Sequence, residues 1–436
     1  MLHHLTSMNQ DLLQQFQAAY RDLDLFPLIE PDMIEKLRVE YGRDVLVRLK
    51  QEVDGGAKDG KVVFTGHRGC GKSTLLKQFS NEMQSKYFTV FFSVADSIEL
   101  SAVTHTNILY ATGIMLLSKA TKANIPVDPT IKQVLLEWTN QDKKTSEKII
   151  KNGAELEVDL QVVTLKLQRE GTFRDEIEKT FERRITDLVL CLDRLAATIQ
   201  NTMKKPVLVI IDDLDKLGLK AAENIYVDNL KSVFSPAFKM LLTVPIEAAR
   251  NTDIVASLMS EGIVRIRLFP VLKFYSHSDV RRVGAEPIAK NMAIFEEVVK
   301  RRFPVGTIAP DTARKMVLLS GGVMRELVRL GRECCLECMV QCELEPDGTV
   351  IQVNDEILAI AVRNLRNDFA RLIGDMEEGY PALTQVYDTL KSSPKANFNK
   401  LLHGLMVLEY ENDAMWYDVH PIVLDLLKRE GLVAEE

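Results

Sequence analysis

Residues 61–74 read KVVFTGHRGCGKST, and the rest of the chain is interpreted outward from this stretch. It begins with a short apolar run, residues 61–65, and continues into a glycine-rich segment that fits the pattern G-x-x-x-x-G-K-[ST]. Glycines in this pattern let backbone N–H groups point at phosphate oxygens, and the helix that follows directs its positive end at the same phosphates. With a strand before it and a helix after it, the stretch predicts a phosphate-binding loop.

Within the loop, the residue types suggest specific tasks. Lys72 is expected to reach the β- and γ-phosphates of a nucleotide, and the hydroxyl of Ser73 is expected to bind Mg²⁺. Cys70 is expected to be a small residue that contributes its backbone N–H. The expected nucleotide-binding residues are Gly66, His67, Arg68, Gly69, Cys70, Gly71, Lys72, Ser73 and Thr74.

An acidic pair follows another apolar run, residues 206–211. Parallel α/β sheets bind ligands at the carboxyl ends of their strands, so we expect Asp212 to hold Mg²⁺ together with Ser73. Asp213 is expected to polarise the attacking water as the catalytic base, a role that depends mainly on placement. Asp215 is a secondary candidate, because an acid at this position more often caps the turn that follows.

Two further residues are candidates for the catalytic machinery. Thr243 lies near the end of the apolar run 239–244 and is expected near the γ-phosphate, although an ordinary strand-end threonine explains it equally well. Arg325 follows Gly321-Gly322 at the start of a helix and is expected to sense the nucleotide; a surface ion pair is the alternative.

The remaining patterns predict an α/β fold in which a five-stranded parallel sheet precedes a helical lid. The other strands are expected at residues 87–94 and 263–269. Within an insertion at about 140–204 we expect a charged helix, an extended alternating stretch at 154–167, and one long helix over 174–203. The expected divisions are a helical lead-in (1–53), the ATPase core (54–272), the lid (273–375) and a winged-helix-like domain (376–436).

The C-terminal segment has the order helix, helix, two strands, helix, which is that of a winged helix. From residue 376 to 436 it carries 5 Lys and Arg against 11 Asp and Glu, and its expected wing tip reads Glu411-Asn412-Asp413. Contact with DNA phosphates would therefore be repulsive. Protein docking fits better, with Trp416 and Tyr417 as a candidate aromatic anchor, although core packing is expected for at least one of them.

Bulk composition excludes several classes of protein. The chain has 436 residues, 46% of them apolar, a net charge of −7, and no apolar run long enough to cross a bilayer. Its six cysteines are compatible with free thiols, so the cytoplasm is expected. Cys334, Cys335, Cys338 and Cys342 are expected on one buried helix face instead of at a zinc site. No N-K-x-D guanine-reading motif occurs, which favours ATP.

With the motifs GHRGCGKST, VLVIIDDLDKL, LLTVP and GGVMREL placed, the chain resembles the AAA+/STAND class of P-loop ATPases over about residues 40–340. The acidic strand is similar to KAP-type proteins, whereas the lid and C-terminal domain resemble origin-recognition ATPases. This resemblance implies a nucleotide switch at an interface, with an arginine supplied in trans; Arg250, Arg301 and Arg302 are candidates. Many members carry glutamate where this chain has Asp213, which implies slow hydrolysis.

Two functions follow. The favoured one is an ATP- and Mg²⁺-dependent switch that couples nucleotide state to self-association or to a protein partner, in a regulatory or defence system. The alternative is a DNA-associated initiator or loader that binds duplex through the winged helix. The alternative requires residues 300–302 or 363–371 to form one continuous basic face.

Overall fold

The computed structural model describes residues 2–136, 153–182, 184–344, 351–395, 397–411 and 414–434. The charged helix expected from residue 140 and the wing-tip residues 412–413 lie outside these ranges. The chain separates into two compact units. The core unit contains Asp44–Thr65 and Leu75–Leu268, and the terminal unit contains Met1–Arg43, Gly66–Thr74 and Phe269–Glu436.

A five-stranded sheet in the order β2-β3-β4-β1-β5 confirms the predicted sheet. The strands are β1 (Lys61–Gly66), β2 (Phe88–Ser93), β3 (Val207–Asp212), β4 (Lys239–Thr243) and β5 (Arg267–Phe269). Strand β3 is parallel to both β2 and β4, and β4 is parallel to β1. All six residues of β3 are buried, as expected when helices cover both faces of a parallel sheet. Strand β5 is shorter than the predicted 263–269.

The described helices of the core unit are α3 (Arg43–Gly55), α4 (Lys72–Met83), α5 (Val94–Ser97), α6 (His105–Lys122), α7 (Pro129–Leu136), α8 (Gly153–Arg169), α9 (Gly171–Phe181), α10 (Ile185–Met203), α11 (Leu219–Glu223), α12 (Leu230–Phe234) and α13 (Thr252–Ser260). Those from α5 to α13 share one apolar core with strands β1 to β4. Helix α4 begins at Lys72, directly after the glycine-rich loop, as predicted.

The insertion departs from its predicted structure in two places. Residues 154–167 are not extended, because α8 spans them as a helix. Its buried side chains Leu160, Val163 and Leu167 are three and four residues apart, which is the helical period, so the partial alternation around them was misleading. The long helix expected over 174–203 is two helices, α9 and α10, with a turn at Arg184 between them.

The terminal unit is mostly helical, as predicted. Its elements are α1 (Leu2–Asp22), α2 (Pro31–Leu37), α14 (Ala289–Lys300), α15 (Pro310–Leu319), α16 (Met324–Leu344), α17 (Asp355–Gly374), α18 (Gly379–Thr389), α19 (Phe398–His403), β6 (Val407–Glu411), β7 (Met415–Val419) and α20 (Pro421–Arg429). Strands β6 and β7 form an antiparallel hairpin. The four cysteines of α16 are buried, which confirms the predicted small-residue face.

The aromatic residues of the hairpin belong to the core of the terminal unit. Trp416 is 2% exposed and stacks on Tyr410 with ring centroids 4.5 Å apart. Tyr417 is also buried, and its hydroxyl donates to Oε2 of Glu409 at 2.7 Å. The expected partner anchor is therefore wrong for both residues, because neither side chain is accessible to a partner. Among the described residues, no helix combines the length and apolar composition needed to cross a bilayer.

Candidate nucleotide-binding site

The glycine-rich loop, Gly66–Thr74, continues from the end of β1. Its glycines allow backbone conformations that other residues rarely adopt. Gly69 has φ +77° and Gly71 has φ +97°, conformations that L side chains rarely adopt. A Cβ atom on Gly69 would lie 2.4 Å from Cβ of Arg325, so no other residue fits at this position. The glycine spacing of the motif therefore has a steric cause in the folded chain.

The charged and polar groups of the loop are arranged for an anion. Lys72 is 5% exposed, and its Nζ donates 2.8 Å hydrogen bonds to the carbonyl oxygens of Gly66 and His67. Within the described residues, the backbone N–H groups of Arg68, Gly69 and Gly71 donate no hydrogen bond. The N–H of Cys70 does not join them, contrary to expectation, because it donates to the carbonyl oxygen of His67 at 3.3 Å. Unbonded N–H groups of such a turn are suited to an anion, and the start of α4 adds its own donors.

His67 is the one imidazole in the loop, and it is buried at 1% exposure. Its Nε2 accepts a 2.7 Å hydrogen bond from the backbone N–H of Glu409 in β6. Burial, reinforced by the nearby ammonium of Lys72, lowers the pKa of His67 to about 3. The ring is therefore neutral near pH 7, with its hydrogen on Nδ1, which has no hydrogen-bond partner in the described structure.

Other C-terminal residues of the terminal unit also contact the loop. Nη1 of Arg68 donates to Nε2 of His403 at 2.9 Å. The backbone N–H of Arg325, in the first turn of α16, donates to the carbonyl oxygen of Gly69 at 2.9 Å. Sequence reasoning missed the contacts at His67 and Arg68, because nothing in the motif indicates which distant segment covers its variable positions.

The predicted residue Arg325 is thus placed against the loop. Its guanidinium forms no ion pair or hydrogen bond with another side chain in the described part of the chain. The glycine pair before it has a steric role, since a Cβ on Gly322 would lie 1.7 Å from the carbonyl oxygen of Leu272. The GG dipeptide therefore allows the chain to approach residue 272 closely before α16 begins.

In the core unit, three carboxylates are gathered after β3. Asp212, Asp213 and Asp215 are all buried, and each offers an oxygen within 4.8 Å of the others. Carboxylate oxygens are the ligands that Mg²⁺ prefers, so the cluster is chemically suited to a divalent cation. Asp215, which sequence reasoning ranked second, lies in the same cluster as Asp212.

Asp213 is held in a defined orientation. It has φ +68°, a left-handed conformation that aspartate tolerates better than most residues. Its Oδ2 accepts a 2.7 Å hydrogen bond from Ser93, and its Oδ1 pairs with Nζ of Lys216 at 2.8 Å. Sequence reasoning missed Ser93, although a polar residue ending β2 was a usable signal, since β2 and β3 are parallel neighbours.

Thr243 lies at the end of β4, where it pairs in register with Phe64 of β1. It is fully buried, and its backbone oxygen accepts a 2.7 Å hydrogen bond from the hydroxyl of Tyr226. Burial, and secondarily the charge of Asp215, raise the pKa of Tyr226. Tyr226 therefore stays protonated and supports the strand end that carries Thr243.

The candidate trans-acting arginines differ in availability. Arg302 is 7% exposed and donates to the carbonyl oxygens of Leu37 and Val298, and burial lowers its pKa to about 10. It is therefore a structural residue. Arg301 pairs with Glu297 at 2.9 Å but remains partly exposed, and Arg250 is half-buried.

The parallel sheet, the loop after β1 and the acids after β3 have the arrangement of a P-loop ATPase fold. More particularly, residues 46–246 match the sequence model of a family described as an ATPase domain predominantly from Archaea. The match spans slightly less than half of the chain. A search of curated proteins finds no match.

Several solved structures are similar to the chain at low identity. A Walker-type ATPase of Pyrococcus abyssi is 14% identical, with a TM-score of 0.44, covering 93% of this chain and 99% of the other. The ORC1 protein of Aeropyrum pernix, solved in complex with DNA, is 11% identical (TM-score 0.40, 93% and 96% covered). Cdc6p of Pyrobaculum aerophilum is 12% identical (TM-score 0.39, 93% and 98% covered).

Proposed function

We propose that the protein binds and hydrolyses ATP with Mg²⁺ and uses its nucleotide state to control self-association or the binding of a protein partner. The observation that carries the proposal is the loop itself, in which Lys72 is buried and ordered while the N–H groups of Arg68, Gly69 and Gly71 are free to donate. A loop in this state is ready to accept phosphate oxygens without rearranging its backbone.

The roles of the remaining residues follow from their chemistry. Lys72 would contact the β- and γ-phosphates, while Ser73 and Asp212 would hold Mg²⁺, which neutralises charge that develops during phosphoryl transfer. Asp213 would orient and polarise the attacking water. Arg325 and Thr243 are proposed to respond to the γ-phosphate.

The geometry around Asp213 favours slow ATP hydrolysis that requires a triggering event. Both carboxylate oxygens of Asp213 are engaged, one by Ser93 and the other by Lys216. A carboxylate held in this way has to exchange a partner before it can accept a proton from water. Turnover would then depend on an event that releases Asp213. Such a dependence is more suitable for a molecular switch than for a motor that hydrolyses ATP continuously.

The charges of the terminal unit support a protein partner or a second copy of the chain. Two of the three arginines of α17 are paired with acids: Arg366 with Asp425 at 2.6 Å and Arg371 with Asp368 at 3.8 Å. In residues 300–302, Arg302 is buried whereas Lys300 and Arg301 are exposed, so this segment offers two basic side chains instead of three. The free, buried cysteines fit the cytoplasm as the proposed location. The proposed domain divisions remain those given by the sequence.

DNA binding is the second candidate, and the element order of residues 379–429 is the observation that favours it. Helices α18 and α19, the hairpin β6–β7 and α20 follow one another as they would in a winged helix. Arg363 is exposed on α17 and would be available to phosphates. The acidic balance of this region is the argument against duplex binding.

Size-resolved light scattering distinguishes the two candidates. Wild type and Asp213→Asn would be measured without nucleotide, with ADP and with ATP, each with and without a short duplex. An ATP-dependent rise in mass without duplex supports the assembly switch. A rise only with duplex, abolished by Arg363→Glu, supports the DNA-associated function. Arg302 is unsuitable for charge reversal, because the variant would disrupt the core.

A further inference from the structure

The loop is connected to the hairpin β6–β7 and to the start of α16 by a closed series of contacts. Glu409 donates to His67 in the loop, and the neighbouring Tyr410 donates from its hydroxyl to the carbonyl oxygen of Gly321 at 2.8 Å. From there the chain leads into α16, where Arg325 donates back to Gly69 of the loop. All of these residues belong to the terminal unit.

The contact between His67 and Glu409 gives the buried backbone N–H of Glu409 a hydrogen-bond acceptor. Glu409 pairs in register with Tyr417, whose own N–H points away from β6 and donates to Leu390. The N–H of Glu409 likewise points out of the hairpin, so the ladder cannot satisfy it. A buried backbone N–H without an acceptor is strongly destabilising, and the imidazole of His67 supplies the acceptor.

These contacts involve groups of the loop that are not expected to bind phosphate. The hairpin takes the imidazole of His67, and α16 takes the carbonyl oxygen of Gly69, whereas the N–H groups of Arg68, Gly69 and Gly71 stay unused. Docking of the hairpin and binding of an anion are therefore compatible. A loop that is already fixed loses less conformational freedom when it binds its ligand.

We propose that His67 is a positioning residue through which the hairpin β6–β7 holds the loop in its phosphate-binding conformation. Nucleotide binding and hairpin docking then reinforce each other, because a coupling between two binding events is reciprocal. The inference rests on the proposed nucleotide binding. It adds a mechanism by which docking of the C-terminal hairpin responds to nucleotide bound in the loop. The hydrogen bond from Arg68 to His403 of α19 also helps to hold the loop in place.

Three variants of the full chain separate this role from a general effect on folding. His67→Leu removes the acceptor, and His67→Gln restores one on a side chain of similar reach. Tyr417→Phe is the matched control, because it removes a hydrogen bond of 2.7 Å inside the same hairpin without touching the loop. Mg²⁺-ADP and a non-hydrolysable ATP analogue would be titrated calorimetrically into each protein.

We expect His67→Leu to bind both nucleotides roughly tenfold more weakly, the factor that corresponds to losing one buried hydrogen bond. His67→Gln should recover most of the affinity, and Tyr417→Phe should bind like wild type. Equal affinities for wild type and His67→Leu would overturn the inference, as would an equal loss in Tyr417→Phe.

Hydrogen exchange of residues 405–411 tests the contact independently of any nucleotide. Exchange without ligand should be faster in His67→Leu than in wild type and His67→Gln, and Mg²⁺-ADP should slow it in wild type. Unchanged exchange in His67→Leu would refute the role of His67. If wild type binds no nucleotide at all while the exchange difference is present, the proposed function fails and the coupling fails with it, but the structural contact stands.

Discussion

The hydroxyl of Ser93, the last residue of β2, donates a 2.7 Å hydrogen bond to Oδ2 of Asp213, the first residue after β3. Adjacent parallel strands bring the two side chains together, and Ser93 pairs in register with Asp212. The bond joins the proposed catalytic base to a strand that does not otherwise take part in the site. It therefore offers a way to test whether Asp213 is restrained in the resting protein.

Ser93→Ala is expected to raise the basal rate of ATP hydrolysis by about fivefold, because losing one hydrogen bond of this strength frees one oxygen of Asp213 for water. The KM for ATP should not change, since Ser93 has no proposed contact with nucleotide. Steady-state phosphate release measures both quantities. Ser101→Ala, an exposed serine nearby, is the control, and a lower kcat in Ser93→Ala would show that the bond assists catalysis.

Asp215→Asn is expected to raise the Mg²⁺ concentration needed for half-maximal hydrolysis several-fold, because Asp215 contributes negative charge within 4.8 Å of Asp212 and Asp213. A titration of activity with Mg²⁺ at saturating ATP would show the shift. Asp228→Asn, at an exposed position, should match wild type. If Asp215→Asn also matches wild type, the residue serves only the turn that follows β3.

Gly322→Ala is expected to lower the free energy of unfolding by more than about 3 kcal/mol, because its Cβ would collide with the carbonyl oxygen of Leu272 at a φ of +80°. Gly374→Ala is the matched control, since nothing lies within 4 Å of its added Cβ at the end of α17. It should be neutral or stabilising by up to about 1 kcal/mol. Urea unfolding compares the two, and similar stabilities would contradict the packing of Gly322.

Acidification is expected to destabilise the terminal unit through two buried histidines. Burial lowers the pKa of His67 and of His420 to about 3, with Lys72 and Arg329 as the secondary causes. Both values lie below the ordinary pKa of about 6.5, so between pH 6.5 and 3 the unfolded chain binds more protons. Stability is therefore lost as the pH falls through this window.

By linkage, each histidine should cost about 2 kcal/mol of stability at pH 5 relative to pH 7. Urea unfolding of wild type and His67→Gln at both pH values measures the share of His67, because glutamine does not titrate. The variant should lose about 2 kcal/mol less than wild type on acidification. Identical losses would mean that His67 is not buried in its neutral form.

Much of this architecture could be predicted because local signals and tertiary demands agree. The apolar runs at β1, β3 and β4 are bounded by turn residues, and the start of α4 at Lys72 is fixed by the loop motif. In α8 they disagree: the alternating pattern of residues 154–167 favoured a strand, but the face formed by Leu160, Val163 and Leu167 packs at helical spacing. Tertiary burial decided the outcome.

The positions of Lys72 and Ser73 after β1, and of Asp212 and Asp213 at the end of β3, could be predicted because a motif places them next to each other in sequence, whereas their roles stay predictions. A contact was not predictable where the partner is distant in the chain. The N–H of Glu409 meets His67 across 342 positions, and no local pattern encodes that distance. Trp416 and Tyr417 were similarly ambiguous, since an aromatic pair in a hairpin suits either a core or an interface.

The most direct test of the account is phosphate release from ATP by purified wild type and Lys72→Ala in the presence of Mg²⁺, with nucleotide binding measured on the same samples. Wild type should bind ATP and release phosphate slowly, and Lys72→Ala should do neither, because the ammonium that reaches the phosphates is gone. A folded Lys72→Ala protein that binds and hydrolyses ATP as wild type does would contradict the assignment of this loop as the nucleotide site.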